Sequence, residues 1–133
     1  MHPLPPTLAD AVRLAAEGRA ALAVALDEFL DAFYSESESA GRQAMIEAEP
    51  PRLGSERDDA YVGAVGEHLA RRWGLRVPAW AAGDDRDVAR PWFVGRMGTG
   101  LSELLLVESP IAFRRRRIFT EAEPLRRARM PAE

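Results

Sequence analysis

The chain has 133 residues, 47% hydrophobic and 29% charged, with 18 basic against 21 acidic side chains and no cysteine. That is the size of one ordinary domain, able to bury a core without disulfide or metal staples. The missing Cys excludes disulfide frameworks, thiolate zinc sites, iron–sulfur clusters and thiol nucleophiles; because every basic residue is Arg, Schiff-base lysines and lysine-bearing phosphate loops are excluded too.

The lead-in, residues 1–6, lacks the basic start and apolar run of a secretory signal, and no apolar stretch nears the ~20 residues needed to span a bilayer. A cytoplasmic chain with no membrane contact is expected. Thr7 is placed to cap a helix starting at Leu8, with Asp10 in its first turn and Gly18 as its weak point. From Arg19, the spacing Leu22, Leu26, Phe29, Leu30, Phe33 predicts an amphipathic helix with Asp27, Glu28 and Asp31 on its other face. The Ser/Glu alternation at 35–39 predicts a break. A short helix, Ala40 to Ala48, follows with Met45 and Ile46 inward, and Pro50-Pro51 stops it.

Ser55 with Asp58 three residues on resembles a capping box, and Tyr61, Val65, Leu69 and Trp73 then recur every four residues up to Gly74, a natural left-handed cap. This predicts a helix over Glu56 to Trp73. Gly63 and Gly66 inside it each cost roughly 1 kcal/mol against Ala, a cost that close packing against another element would justify. Residues 75–100 lose all period and read as a long irregular loop with short turns of helix; carrying Trp80, Trp92 and Phe93, it is no solvated linker. Leu101, Leu104, Leu105 and Glu108 outline a helix. Ser109-Pro110 reads as an N-cap with proline opening a helix to about Arg116, Ile118-Phe119 as an extended step, and Thr120-x-x-Glu123 as the capping box of a last helix reaching Arg129. The expected fold is mainly α: one compact multi-helix domain over 1–133, with a flexible lead-in and an irregular central loop.

Charge divides the chain. Residues 1–67 carry 5 Arg against 13 acids, residues 68–133 carry 13 Arg against 8. Either acidic helices pack beside basic ones, or a basic face is offered to an anionic partner. The run Arg114 to Arg117 fans over 300° on a helix, so its four guanidiniums cannot all meet one partner. Catalytic patterns are weak. His68 has no second histidine on its face, Asp84-Asp85-x-Asp87 lacks the Gly and distant Glu of a calcium loop, and Asp58-Asp59 point 100° apart. The glycines at 95, 98 and 100 follow no strand, so no dinucleotide fingerprint is read. No metal or other cofactor is expected.

The combination Pro78-Ala79-Trp80, Arg90-Pro91-Trp92-Phe93 and Ser109-Pro110-Ile111-Ala112-Phe113-Arg114-Arg115-Arg116, followed by Ile118-Phe119, resembles a block found in a group of bacterial proteins from GC-rich genomes. These are antitoxins or regulatory partners paired with a nucleotidyltransferase-like protein, and in them a similar block follows a helix-turn-helix DNA-binding domain. The resemblance covers about Tyr61 to Met130; the residues before it show no helix-turn-helix with its tight Gly turn and recognition helix. It implies a non-catalytic module binding a protein partner through Trp80, Arg90, Trp92, Phe93, Phe113, Arg114, Arg115 and Arg116. Against this stands the reading that the aromatics simply plug the helix bundle. A small nucleic-acid-binding regulator using Arg114 to Arg117 with Arg126, Arg127 and Arg129 is the alternative function, and a homodimer joined through the Leu22 to Phe33 stripe is compatible with either.

Overall fold

The computed structural model describes residues 6–94, Leu106 and residues 108–131. Among them run α1 (Leu8–Ala16), α2 (Leu22–Ser35), α3 (Ser39–Glu47), α4 (Glu56–Arg72), α5 (Ala79–Ala82), β1 (Trp92–Phe93), α6 (Ile111–Arg114) and β2 (Ile118–Phe119). The architecture is mainly α. Its only sheet among the described residues is one short parallel pair, with Trp92 opposite Ile118 and Phe93 opposite Phe119.

Local chemistry sets the helix ends. Thr7 Oγ1 accepts from Asp10 N at 3.0 Å, and Ser55 Oγ accepts from Asp58 N at 3.3 Å, each satisfying a first-turn donor that the helix leaves open. Gly18 and Gly74 sit at φ +72° and +71°. In both places the next amide reaches back to the third-last carbonyl, Arg19 N to Leu14 O at 2.9 Å and Leu75 N to Ala70 O at 2.7 Å, which is how a left-handed glycine closes a helix.

The core lies between α1, α2 and α4. Leu26, Phe29, Leu30 and Phe33 are buried by the chain's own elements, while Leu22, at the start of the predicted stripe, is half-buried. α4 is the axis, packed on α3, α5 and α6. It is buried on nearly every face from Asp59 to Ala70, beyond what its four-residue stripe predicts. Small residues make that possible. A Cβ on Gly66 would lie 2.5 Å from Trp80 Cη2, and one on Gly63 would lie 3.0 Å from Arg116 Nε, so the two glycines form a notch that seats a tryptophan and an arginine.

The C-terminal segment departs from expectation. Ser109 is not the cap of α6: its Oγ accepts from Thr120 N at 2.8 Å and donates to Thr120 O at 3.1 Å, while Pro110 takes the cap position and α6 ends at Arg114, two residues short of Arg116. The last predicted helix is absent, and residues 120–131 lie as turns across α2 and α4. The groups that would cap it are engaged elsewhere. Thr120 N is held by Ser109, Glu123 takes the Arg72 guanidinium at 3.0 Å, Leu125 O accepts from the Tyr34 hydroxyl at 2.9 Å, and Arg127 grips both oxygens of Asp31 at 3.0 Å. These tertiary bonds outweigh a weak local helix preference. The helix expected over Leu101 to Glu108 falls largely outside the described residues. Within the predicted loop, α5 and β1 supply the short regular pieces. No helix among the described residues is long and apolar enough to cross a membrane.

Candidate functional site

The aromatic–arginine block divides into an inward and an outward half. Arg116 points inward. Its guanidinium, fully buried, donates to Glu67 Oε1 at 2.6 Å and to the carbonyls of Ala112 (2.8 Å) and Ala81 (2.6 Å), with Nε on Arg86 O at 2.9 Å. Pairing of this completeness offsets the cost of burying a charge. The same Glu67 oxygen accepts from Arg115 Nε at 2.7 Å, and Oε2 accepts from Arg71 Nε at 2.7 Å. Burial by itself raises the Glu67 pKa, but hydrogen bonds from Arg116, Arg115 and Arg71 outweigh it and hold the carboxyl below its ordinary value.

Phe113 is fully buried, its ring edge-on to Tyr61 at 5.5 Å and to His68 at 5.6 Å. Trp80 lies on Gly66 and donates Nε1 to Ile46 O at 3.0 Å, tying α5 to α3. Phe113 and Arg116 therefore reach no surface that a partner touches in this conformation, and Trp80 and Arg115 spend most of their contacts inside. His68 is a packing residue; burial lowers its pKa and keeps the imidazole neutral.

The outward half is smaller. Trp92 is half-buried against Tyr61 at 6.1 Å, with the Arg57 guanidinium 5.0 Å from its ring. Phe93 stacks on Phe119 at 5.1 Å. Arg90 and Arg114 are exposed, and among the described residues neither has an acidic partner. Arg117, the one non-glycine at positive φ (65°) among these residues, turns the chain from α6 into β2. Its guanidinium is fastened to Asp87 and to Val88 O, both at 2.9 Å, and its carbonyl accepts from Trp92 N at 2.9 Å. A left-handed residue of this kind costs about 1 kcal/mol, here set against three tethers around β1.

Beside Trp92 opens a cavity of about 320 Å³. Leu22, Leu26 and Leu30 of α2 form one wall, Tyr61, Trp92 and Val94 the other, and Asp27, Asp58 and Arg126 carry the charge around it. Among the described residues, Asp58 and Arg126 have no ion-pair partner, whereas Asp27 lies 3.5 Å from Arg127.

The divided charge resolves mostly as internal compensation. Arg76 pairs with Glu47, Arg86 with Glu49 and Arg127 with Asp31, while the three aspartates of the 84–87 turn meet three different arginines, Arg115, Arg52 and Arg117. No group of three His, Asp or Glu side chains among the described residues gathers as a metal site. Sequence reasoning missed Glu67 as the hub of the arginine run and missed the cavity. The glycine pair at 63 and 66, three residues apart on α4, was the available signal for the hub. Neither a family model, nor a curated protein, nor a solved structure matches the chain.

Proposed function

We propose that the chain is a cytoplasmic, non-catalytic protein-interaction module of antitoxin type, which binds and neutralises a nucleotidyltransferase-type toxin by covering its active-site region. The observation that carries this reading is the outward half of the block. Trp92, half-buried under Arg57, stands near exposed Arg90 and shares its cavity with unpaired Arg126. Tryptophan and arginine dominate interface energetics, and an arginine without an internal carboxylate is ready for one supplied by a partner. The resemblance of the block to that of known toxin partners gives the kind of protein bound.

The nucleic-acid reading has fewer cations to draw on. Arg115, Arg116, Arg117 and Arg127 are held by carboxylates, leaving, among the described residues, Arg114, Arg126 and Arg129, the last donating to the neutral Ser35 Oγ. Co-expression with the product of the neighbouring gene tests the proposal. A complex on gel filtration and relief of toxicity are expected, both weakened by Trp92→Ala with Arg114→Glu. Absence of both complex and relief with the wild-type chain overturns it.

A further inference from the structure

The cavity beside Trp92 has the character of a ligand site. At about 320 Å³ it holds roughly ten water volumes, and so an organic body of about ten non-hydrogen atoms; this is the low end of small-molecule pockets. Its walls are aliphatic on α2 and aromatic at Tyr61 and Trp92. Polar groups at an apolar cavity select the ligand by what they lack. Among the described residues Asp58 has no ion-pair partner, and Asp27 meets Arg127 only at 3.5 Å with its side chain about half exposed (53%).

Among the described lining residues two carboxylates, Asp27 and Asp58, stand against one guanidinium, Arg126, so the charge around the aromatic wall favours a cation, even with Arg57 5.0 Å from the Trp92 ring. Burial first, then the charges of Asp27 and Glu121, push the Tyr61 hydroxyl's pKa up to about 12. Arg126 is the one opposing charge among the described lining residues.

We propose that this cavity binds a small amphiphilic amine, its apolar body between Leu26 and the Tyr61–Trp92 wall and its ammonium group at Asp58 and Asp27. The site belongs to the chain alone and does not rest on the toxin-binding reading, so the two stand or fall separately.

Titrating the isolated, isotope-labelled chain with 2-phenylethylamine, 3-phenylpropionate and 2-phenylethanol tests this by amide NMR shifts. The amine is expected to give saturable shifts at Leu22, Leu26 and Tyr61, and to bind about tenfold more tightly than the carboxylate, the value of one charge-assisted hydrogen bond. Asp58→Asn should weaken the amine severalfold and leave the alcohol unchanged. Ala23→Trp, at an exposed position lining the cavity, should abolish binding while the rest of the spectrum reports an intact fold. No saturable shift with the amine, equal affinity for the carboxylate, or amine binding that survives Ala23→Trp overturns the proposal.

Discussion

Glu67→Gln is the sharpest test of how the arginine run is held. The carboxylate receives three charge-assisted hydrogen bonds of 2.6–2.7 Å, two at Oε1 from Arg115 and Arg116 and one at Oε2 from Arg71. An isosteric amide keeps the shape and one acceptor, but it turns its NH₂ group toward a guanidinium and removes the negative charge. Arg71, 52% exposed, swings into water at little cost, whereas Arg116, 1% exposed, has nowhere to go. Leaving one partner of a buried ion pair uncompensated costs about 3–5 kcal/mol. With a urea dependence of about 2 kcal/mol per M, that lowers the unfolding midpoint by roughly 1.5–2.5 M. The control, Arg71→Ala, should cost less than about 1 kcal/mol, as half-exposed pairs do. Urea titrations followed by far-ultraviolet circular dichroism measure both. A loss below about 1 kcal/mol for Glu67→Gln, or equal losses for the two variants, refutes the claim that Glu67 carries the interior arginine.

Linkage gives a second check: because the folded Glu67 pKa is depressed, its stabilisation is complete above the ordinary carboxylate pKa and lost as pH falls through the folded value. The wild-type chain should therefore lose stability in acid more steeply than Glu67→Gln, as denaturant titrations between pH 3 and 7 will show. His68, with its pKa lowered by burial, should titrate below 6.5 by imidazole NMR, with stability full above that pH and falling as the ring is forced to charge; a midpoint at or above 6.5 contradicts its packing role. Tyr34 and Tyr61, the only two tyrosines, are both pushed up to about 12, chiefly by burial, so the folded chain should show no phenolate absorbance step near pH 10, and unfolding in urea should restore one. Gly66→Ala should destabilise by about 1–3 kcal/mol despite its better helix propensity, because the new methyl meets the Trp80 ring; a raised melting temperature would falsify the notch.

What the sequence reveals is governed by the range of the forces involved. Thr7, Ser55 and Gly74 act within four residues of themselves, so the start of α1 and both ends of α4 were legible. The amphipathic stripe of α2 was legible because burial on one face leaves a period. α4 hid its all-round burial because Gly63 and Gly66 read as weak helix positions, when their smallness is what admits Arg116 and Trp80. The C-terminal capping box misled for the opposite reason: a correct local signal met partners supplied from afar. Of the eight residues named for a partner, the three arginines Arg114, Arg115 and Arg116 gave no hint of which side chains turn inward, since that depends on where Glu67 stands on another helix. The cavity was illegible because its walls come from four separate stretches of chain.

The bonds that fasten residues 120–131 join partners remote in sequence: Tyr34 to Leu125 spans 91 positions and Asp31 to Arg127 spans 96. Helix α2 is thus made early on the ribosome but cannot acquire its full set of contacts until the polypeptide past residue 127 has cleared the exit tunnel. Until then the leucines facing the Trp92 cavity stand open to water, a window in which a nascent chain is most exposed to chaperones and proteases. Completing the packing of α2 therefore depends on closing a long loop, an entropic cost that its local helix formation does not meet.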